Sequence, residues 1–384
     1  CNGEDDDGDG LIDEDFPDTD GDGIADCVDD DCDVRLADGS EVIMDDTCAA
    51  NGGVPPENPW AIKLEWSWRG ASTNSALSNV FTPPLVGNLT DDNWDGLIDE
   101  NDSPDVVVVA SRGDIEDAGV LVVLDGATGF EHFLYEGVYP LGGIAVAEVD
   151  GDGMPDILAF DTNLKPILLA GDGTLQWTAA KSVLSRIPQV TVADLDGNGV
   201  VDVVADTMRL RGTDGHLLNW YPVPSAIEFR IPAVGDLDLD GQQEVIIGNS
   251  LFEPDGTRTW TAPVQGTWGH WGAIVDADGD LYGEMAMIAD GRLLVIEHDG
   301  EVIVDVEAGN DHPGAPCVAD FDGDGEPEVG WASNNQFNMH ELNGDVIWSR
   351  PVQDSTGLLA TCSGFDFDGD GRMEVLYNDN DKVF

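Results

Sequence analysis

Basic residues are scarce in this 384-residue chain: Lys and Arg together number 15 against 78 Asp and Glu, for a formal charge of −63. A surface that anionic disfavours nucleic acid and anionic lipid as partners. No run of 18 apolar residues occurs, so no helical segment of the usual kind spans a bilayer. HExxH, GxSxG, the Gly-rich phosphate loop and CxxC are all missing. The six histidines, His132, His216, His270, His298, His312 and His340, do not cluster as metal ligands. The acids, by contrast, are abundant and patterned.

Residues 319–329 read ADFDGDGEPEV, with Asp320, Asp322, Asp324 and Glu328 at relative positions 1, 3, 5 and 9 and Gly325 at position 6. Two unit charges about 4 Å apart repel by roughly 4 kcal/mol at an effective dielectric near 20, so a folded loop holding four carboxylates needs a cation among them. Alternating spacing turns positions 1, 3 and 5 to one centre, and the glycine allows the turn that returns position 9. Six to eight hard oxygen ligands suit Ca2+ better than strictly octahedral Mg2+. A solvated acidic turn is the bland alternative for one isolated copy.

Repetition weakens that alternative. The pattern recurs at Asp194, Asp196, Asn198 and Asp202; at Asp236, Asp238, Asp240 and Glu244; at Asp276, Asp278, Asp280 and Glu284; and at Asp366, Asp368, Asp370 and Glu374. An altered copy has Glu148, Asp150, Asp152 and Asp156, and an earlier one Asp91, Asn93, Asp95 and Asp99, where Asn88 and Asp105 align as well. From Glu148 onward the first positions are 46, 42, 40, 44 and 46 residues apart. Units of that length form propeller blades or solenoid repeats. Each loop precedes a short β-branched or aromatic run, followed by a DG or NG turn and a strand that usually ends in an aromatic, giving about four strands per unit.

Seven such units make an all-β fold, expected as a seven-bladed β-propeller over residues 60–384. The last unit lacks its closing strand, and AIKLEWSW (Ala61 to Trp68) is expected to supply it from the N-terminal side. Trp66, Trp177, Trp220, Trp260 and Trp348 are then equivalent core positions.

The loops and their strands resemble the FG-GAP or VCBS repeats of integrin-α-type propellers over about 320 residues. The resemblance implies calcium in surface loops between blade strands, held by the side chains at 1, 3, 5 and 9 and a backbone carbonyl at 7. Two positions depart from it: Leu281 stands where the turn glycine belongs, and Asn198 lowers the ligand charge of its loop.

Residues 1–48 carry two more copies, Asp5, Asp7, Asp9, Asp13 and Asp18, Asp20, Asp22, Asp26, with almost nothing apolar between them. This segment is similar to thrombospondin type 3 repeats and to the CNGxDDDxDGxxDE motif of secreted bacterial proteins, which implies that ions order it. A merely acidic tail is the alternative. Residues 49–59 read as a linker, and the chain holds up to about nine calcium loops in all.

Such loops bind weakly and millimolar calcium is found outside cells, which points to a secreted or cell-surface bacterial protein. Six cysteines, an even number, fit an oxidising compartment. Cys317 and Cys362 precede successive loops and either bridge neighbouring blades or are two small buried thiols. A start at Cys1 rather than Met leads to the expectation either that an export signal was removed or that the sequence is part of a longer gene product. The one local cluster suited to a sugar platform, Trp268, His270 and Trp271, sits where core aromatics are the commoner case. The expected function is non-catalytic binding or adhesion to a protein or glycan ligand. Self-assembly into a fibre or surface layer is the alternative, and a polysaccharide-lyase activity is a more distant one.

Overall fold

A computed structural model describes residues 64–94, 96–99, 101–113, 118–223, 230–264, 271–308, 314–333, 335–353, 362–367 and 372–377, and the strand pair Val34–Arg35 and Glu41–Val42. The chain divides into two compact units, residues 1–61 with 366–372, and residues 62–365 with 373–384. In the first, the described strands are that pair, with Val34 opposite Val42. The loops at Asp5 and Asp18, Asp95, Asp368 and Asp370, and Trp268 and His270, lie outside the described residues.

The described part of the second unit is all-β, without a helix. Its first sheet has five strands, the next five have four each, and the last has two. The first strands of successive sheets are Leu85–Gly87, Ala145–Ala147, Val190–Ala193, Pro232–Gly235, Trp271–Val275, Cys317–Ala319 and Cys362–Phe365. Each lies beside the first strand of the next sheet. Every one runs through an acidic loop into an antiparallel second strand, which opens at Asp105, Asp156, Asp202, Glu244, Glu284, Glu328 or Glu374.

Second strands are buried on both sides, as at Asp156–Phe160 and Glu284–Ala289, because their sheets are covered on both faces. Fourth strands are more exposed, and Val302–Glu307 alternates with one face outward. The core is accordingly a series of apolar layers. Ile157 and Leu169 pack with Val107 and Leu121 of the sheet before, and Leu158 and Leu168 with Val203 and Leu210 of the sheet after.

Aromatics within fourth strands lean on the glycine hairpin of the following sheet. The Trp177 indole donates to Gly212 O at 2.6 Å, and a Cβ on Gly215 would lie 2.6 Å from its ring. Trp66 repeats this toward the first sheet, donating to Gly126 O at 2.7 Å and capping Gly129, although residues 64–69 pair with no strand among the described residues. Trp220 departs from the expected equivalence. Trp177, Trp260 and Trp348 face Leu168, Leu251 and Met339, but in the third sheet Asn219 holds that place opposite Arg209. A one-residue offset turns a strand side chain to the other face, and Trp220 is 41% exposed.

Cys317 and Cys362 form a disulfide between the first strands of the last two sheets, with Cα atoms 5.4 Å apart.

Candidate metal centre

In the loop at Asp320 the backbone is wound around the acids. Asp320 accepts the N–H groups of Gly323 at 2.6 Å and Gly325 at 2.9 Å, and Asp324 accepts that of Glu326 at 2.9 Å. Glu328, which opens the buried second strand and is itself fully buried, accepts the N–H groups of Phe321 at 2.6 Å and Asp322 at 3.2 Å, both through Oε2. Its Oε1 is buried and has no hydrogen-bond partner. One oxygen from each of Asp320, Asp322, Asp324 and Glu328 lies within 4.8 Å of the others.

The loop at Asp236 gathers Asp236, Asp238, Asp240 and Glu244 in the same way. Glu244 Oε2 accepts Leu237 N–H at 2.7 Å, and its Oε1 is buried without a partner. At Asp276 the group is Asp276, Asp278 and Glu284, with Glu284 Oε1 again orphaned. At Glu148 it is Glu148, Asp150 and Asp156. Asp280 and Asp152 fall outside these tight groups, although they accept the N–H groups of Tyr282 and Met154 as Asp324 and Asp240 accept those of Glu326 and Gln242.

These loops turn through the left-handed region at positions 4 and 6, as at Gly323 (φ 79) and Gly325 (φ 92). Leu281 adopts φ 80 and Leu239 φ 60 at corresponding places, so the loops without those glycines keep the same path at some conformational cost. The turn glycine is thus replaced locally by strain, and the acids still converge.

The three orphaned glutamate oxygens, each beside other acids, fit a group that could hold a cation. A buried carboxylate with an unpaired oxygen is costly unless something positive meets it. Burial pushes Glu244, Glu284 and Glu328 up to about 7, with the neighbouring acids adding to it. Asp156 is pushed up to about 6 for the same reason. Each shift disfavours the charged carboxylate because it is buried beside other acids.

Two loops are built differently. In the first sheet the strand opens at Asp105, not Asp99, and the fully buried Asp105 accepts Leu89 N–H at 2.9 Å. His132 Nε2 lies 3.1 Å from Asp105 Oδ1, a contact that a lone histidine in the sequence does not announce. Asp91 accepts Gly96 N–H, Asp99 that of Asn101, and the buried Asp102 those of Asp92, Asn93 and Asp99. In the third sheet Asp194 accepts the N–H groups of Asn198 and Gly199, but Asp196 and Asp202 are held by the Arg209 guanidinium at 2.7 and 2.6 Å. Of the last loop, Glu374 is seen to open its strand.

Residues 149–205 and 320–377 each match the FG-GAP-like repeat family, so the chain carries such repeats. In fold it is similar to the crystal structure of the V. cholerae biofilm matrix protein Bap1, at 18% identity and a TM-score of 0.69, over 83% of this chain and 80% of that one. It is also similar to the Bacillus licheniformis rhamnogalacturonan lyase PL11, at 18% identity and a TM-score of 0.50, over 78% of this chain and 58% of the enzyme. The chain therefore spans less than two thirds of that lyase, and at these identities the likeness is one of fold. No curated protein matches the chain.

Proposed function

We propose that the chain is a calcium-stabilised, seven-bladed β-propeller that works outside the cell as a non-catalytic binding or adhesion module of a surface matrix. The observation that carries the metal is the buried, unpartnered Oε1 of Glu244, Glu284 and Glu328, each beside two or three further carboxylates. The convergence of three or four carboxylates in one flexible loop suits Ca2+, which takes six to eight oxygen ligands in adaptable geometry, better than Mg2+, which demands a near-ideal octahedron.

Seven sheets packed in sequence order support the propeller. So does Trp66, which meets the Gly129 hairpin as Trp177 meets Gly215, the placement expected of a fourth strand donated to the last blade. Likeness to a biofilm matrix protein, a disulfide and a demand for calcium at extracellular levels favour a matrix setting. The loop acids are committed to ions, which leaves them unavailable as acid and base.

Light scattering in millimolar calcium, with a screen of glycans and matrix proteins, tests this reading. Calcium-dependent ligand capture by monomers supports a binding module, and calcium-dependent growth to large particles supports a structural subunit. Cleavage of rhamnogalacturonan or another acidic polysaccharide by the purified chain would overturn the non-catalytic assignment.

A further inference from the structure

In the first six sheets the third strand has one position, opposite the third residue of the second strand, that faces the layered core. It is Val123, Leu168, Leu251, Val295 or Met339 in five sheets, every one of them at most 1% exposed. In the third sheet it is Arg209, 6% exposed. A cation buried without partners costs several kcal/mol, so an arginine at a core position needs a dedicated set of acceptors. Arg209 has one. Nη2 bonds Asp196 Oδ2 and Asp202 Oδ2, and Nη1 bonds Pro254 O of the next sheet at 3.1 Å.

The surroundings have changed in step. Opposite Arg209 stands Asn219, where the second, fourth and sixth sheets place a tryptophan. Asp202 faces Arg211 across the strands, whereas Glu328 faces Glu341. Position 5 of the loop is Asn198 instead of an acid. Each change either makes room for a guanidinium or removes negative charge.

We infer that Arg209 is the resident cation of the Asp194 loop, and that this loop takes no calcium. A divalent ion among the same carboxylates would meet a fixed positive charge, and displacing Arg209 from Asp196 and Asp202 would leave it buried and unpaired. The third sheet is thus neutralised permanently, between two sheets whose loops at Glu148 and Asp236 keep their acids free for an ion. Its assembly is independent of calcium while that of its neighbours is not. This inference rests on the calcium reading of those neighbours.

The test is the number of Ca2+ ions bound per full-length chain, counted by native mass spectrometry, with melts in calcium and in chelator. Asp196→Asn should bind as many ions as the wild type. Arg209→Leu, which restores the residue type of Leu251, should bind one ion more and should melt below the wild type in chelator. Loss of one ion in Asp196→Asn overturns the inference, as does Arg209→Leu folding in calcium without gaining one. A wild type that binds no calcium overturns the proposed function instead. The chelator melt then still decides Arg209, since equal melting of wild type and Arg209→Leu contradicts its pairing role.

Discussion

Glu328 accepts the Phe321 N–H at 2.6 Å with one carboxylate oxygen, while its other oxygen is buried and unpartnered beside Asp320, Asp322 and Asp324. The backbone fixes the side chain, and the free oxygen waits for charge. Glu328→Gln removes that charge and should therefore act in opposite directions in two buffers. In calcium it should lower stability by up to about 3 kcal/mol, the linkage expected from one site filled at 100 times its dissociation constant. In chelator it should match or exceed the wild type, because a buried uncompensated charge has gone. Paired thermal melts check both signs.

Stability without calcium should fall as pH rises. Glu244, Glu284 and Glu328, at about 7, and Asp156, at about 6, all lie above their ordinary values, so between about pH 4.5 and 7 the folded state holds protons that the unfolded chain has released. Unfolding then loses protons, and the slope of stability against pH is negative in that window. Bound calcium reverses the dependence, because protons compete with the ion below pH 7. In EDTA the melt at pH 6 should lie above that at pH 8, and in calcium the order should be reversed.

Two glycine substitutions separate backbone cost from packing cost. At Gly325 (φ +92) a Cβ meets nothing within 4 Å, so Gly325→Ala should cost about 1 to 2 kcal/mol from the left-handed backbone alone. At Gly215 (φ +65) the added carbon strikes the Trp177 ring at 2.6 Å, and that ring is tethered to Gly212 O. Gly215→Ala should cost more, as read by denaturant midpoints.

The loops were legible because their acids are local: Asp320, Asp322, Asp324 and Glu328 lie within nine residues and signal by spacing alone. Long-range relations were less so. Asp105, not Asp99, opens the second strand of the first sheet because an expanded loop intervenes, and both fit the sequence pattern. Trp220 matched the aromatic rhythm, yet the register gives the place to Asn219. Arg209 was missed although its signal is present: Met208 to Arg211 reads MRLR, where the corresponding strands are apolar at the core-facing site. A charge interrupting one copy of a repeated apolar position marks such a substitution.

The Cys317–Cys362 bridge ties the first strands of the last two sheets across a sequence separation of 45. Replacing both cysteines by serine should lower stability by about 2 to 4 kcal/mol through release of that constraint on the unfolded chain. Chemical denaturation of the oxidised chain and the double variant measures it.

The central claim is that cations complete these loops, and the most direct measurement is the melting temperature of the full chain in millimolar calcium and after chelation. A large fall on chelation, reversed by calcium and not by magnesium at the same concentration, is predicted. A melt unchanged by EDTA would contradict the account, since the buried oxygens of Glu244, Glu284 and Glu328 would then be tolerated without an ion.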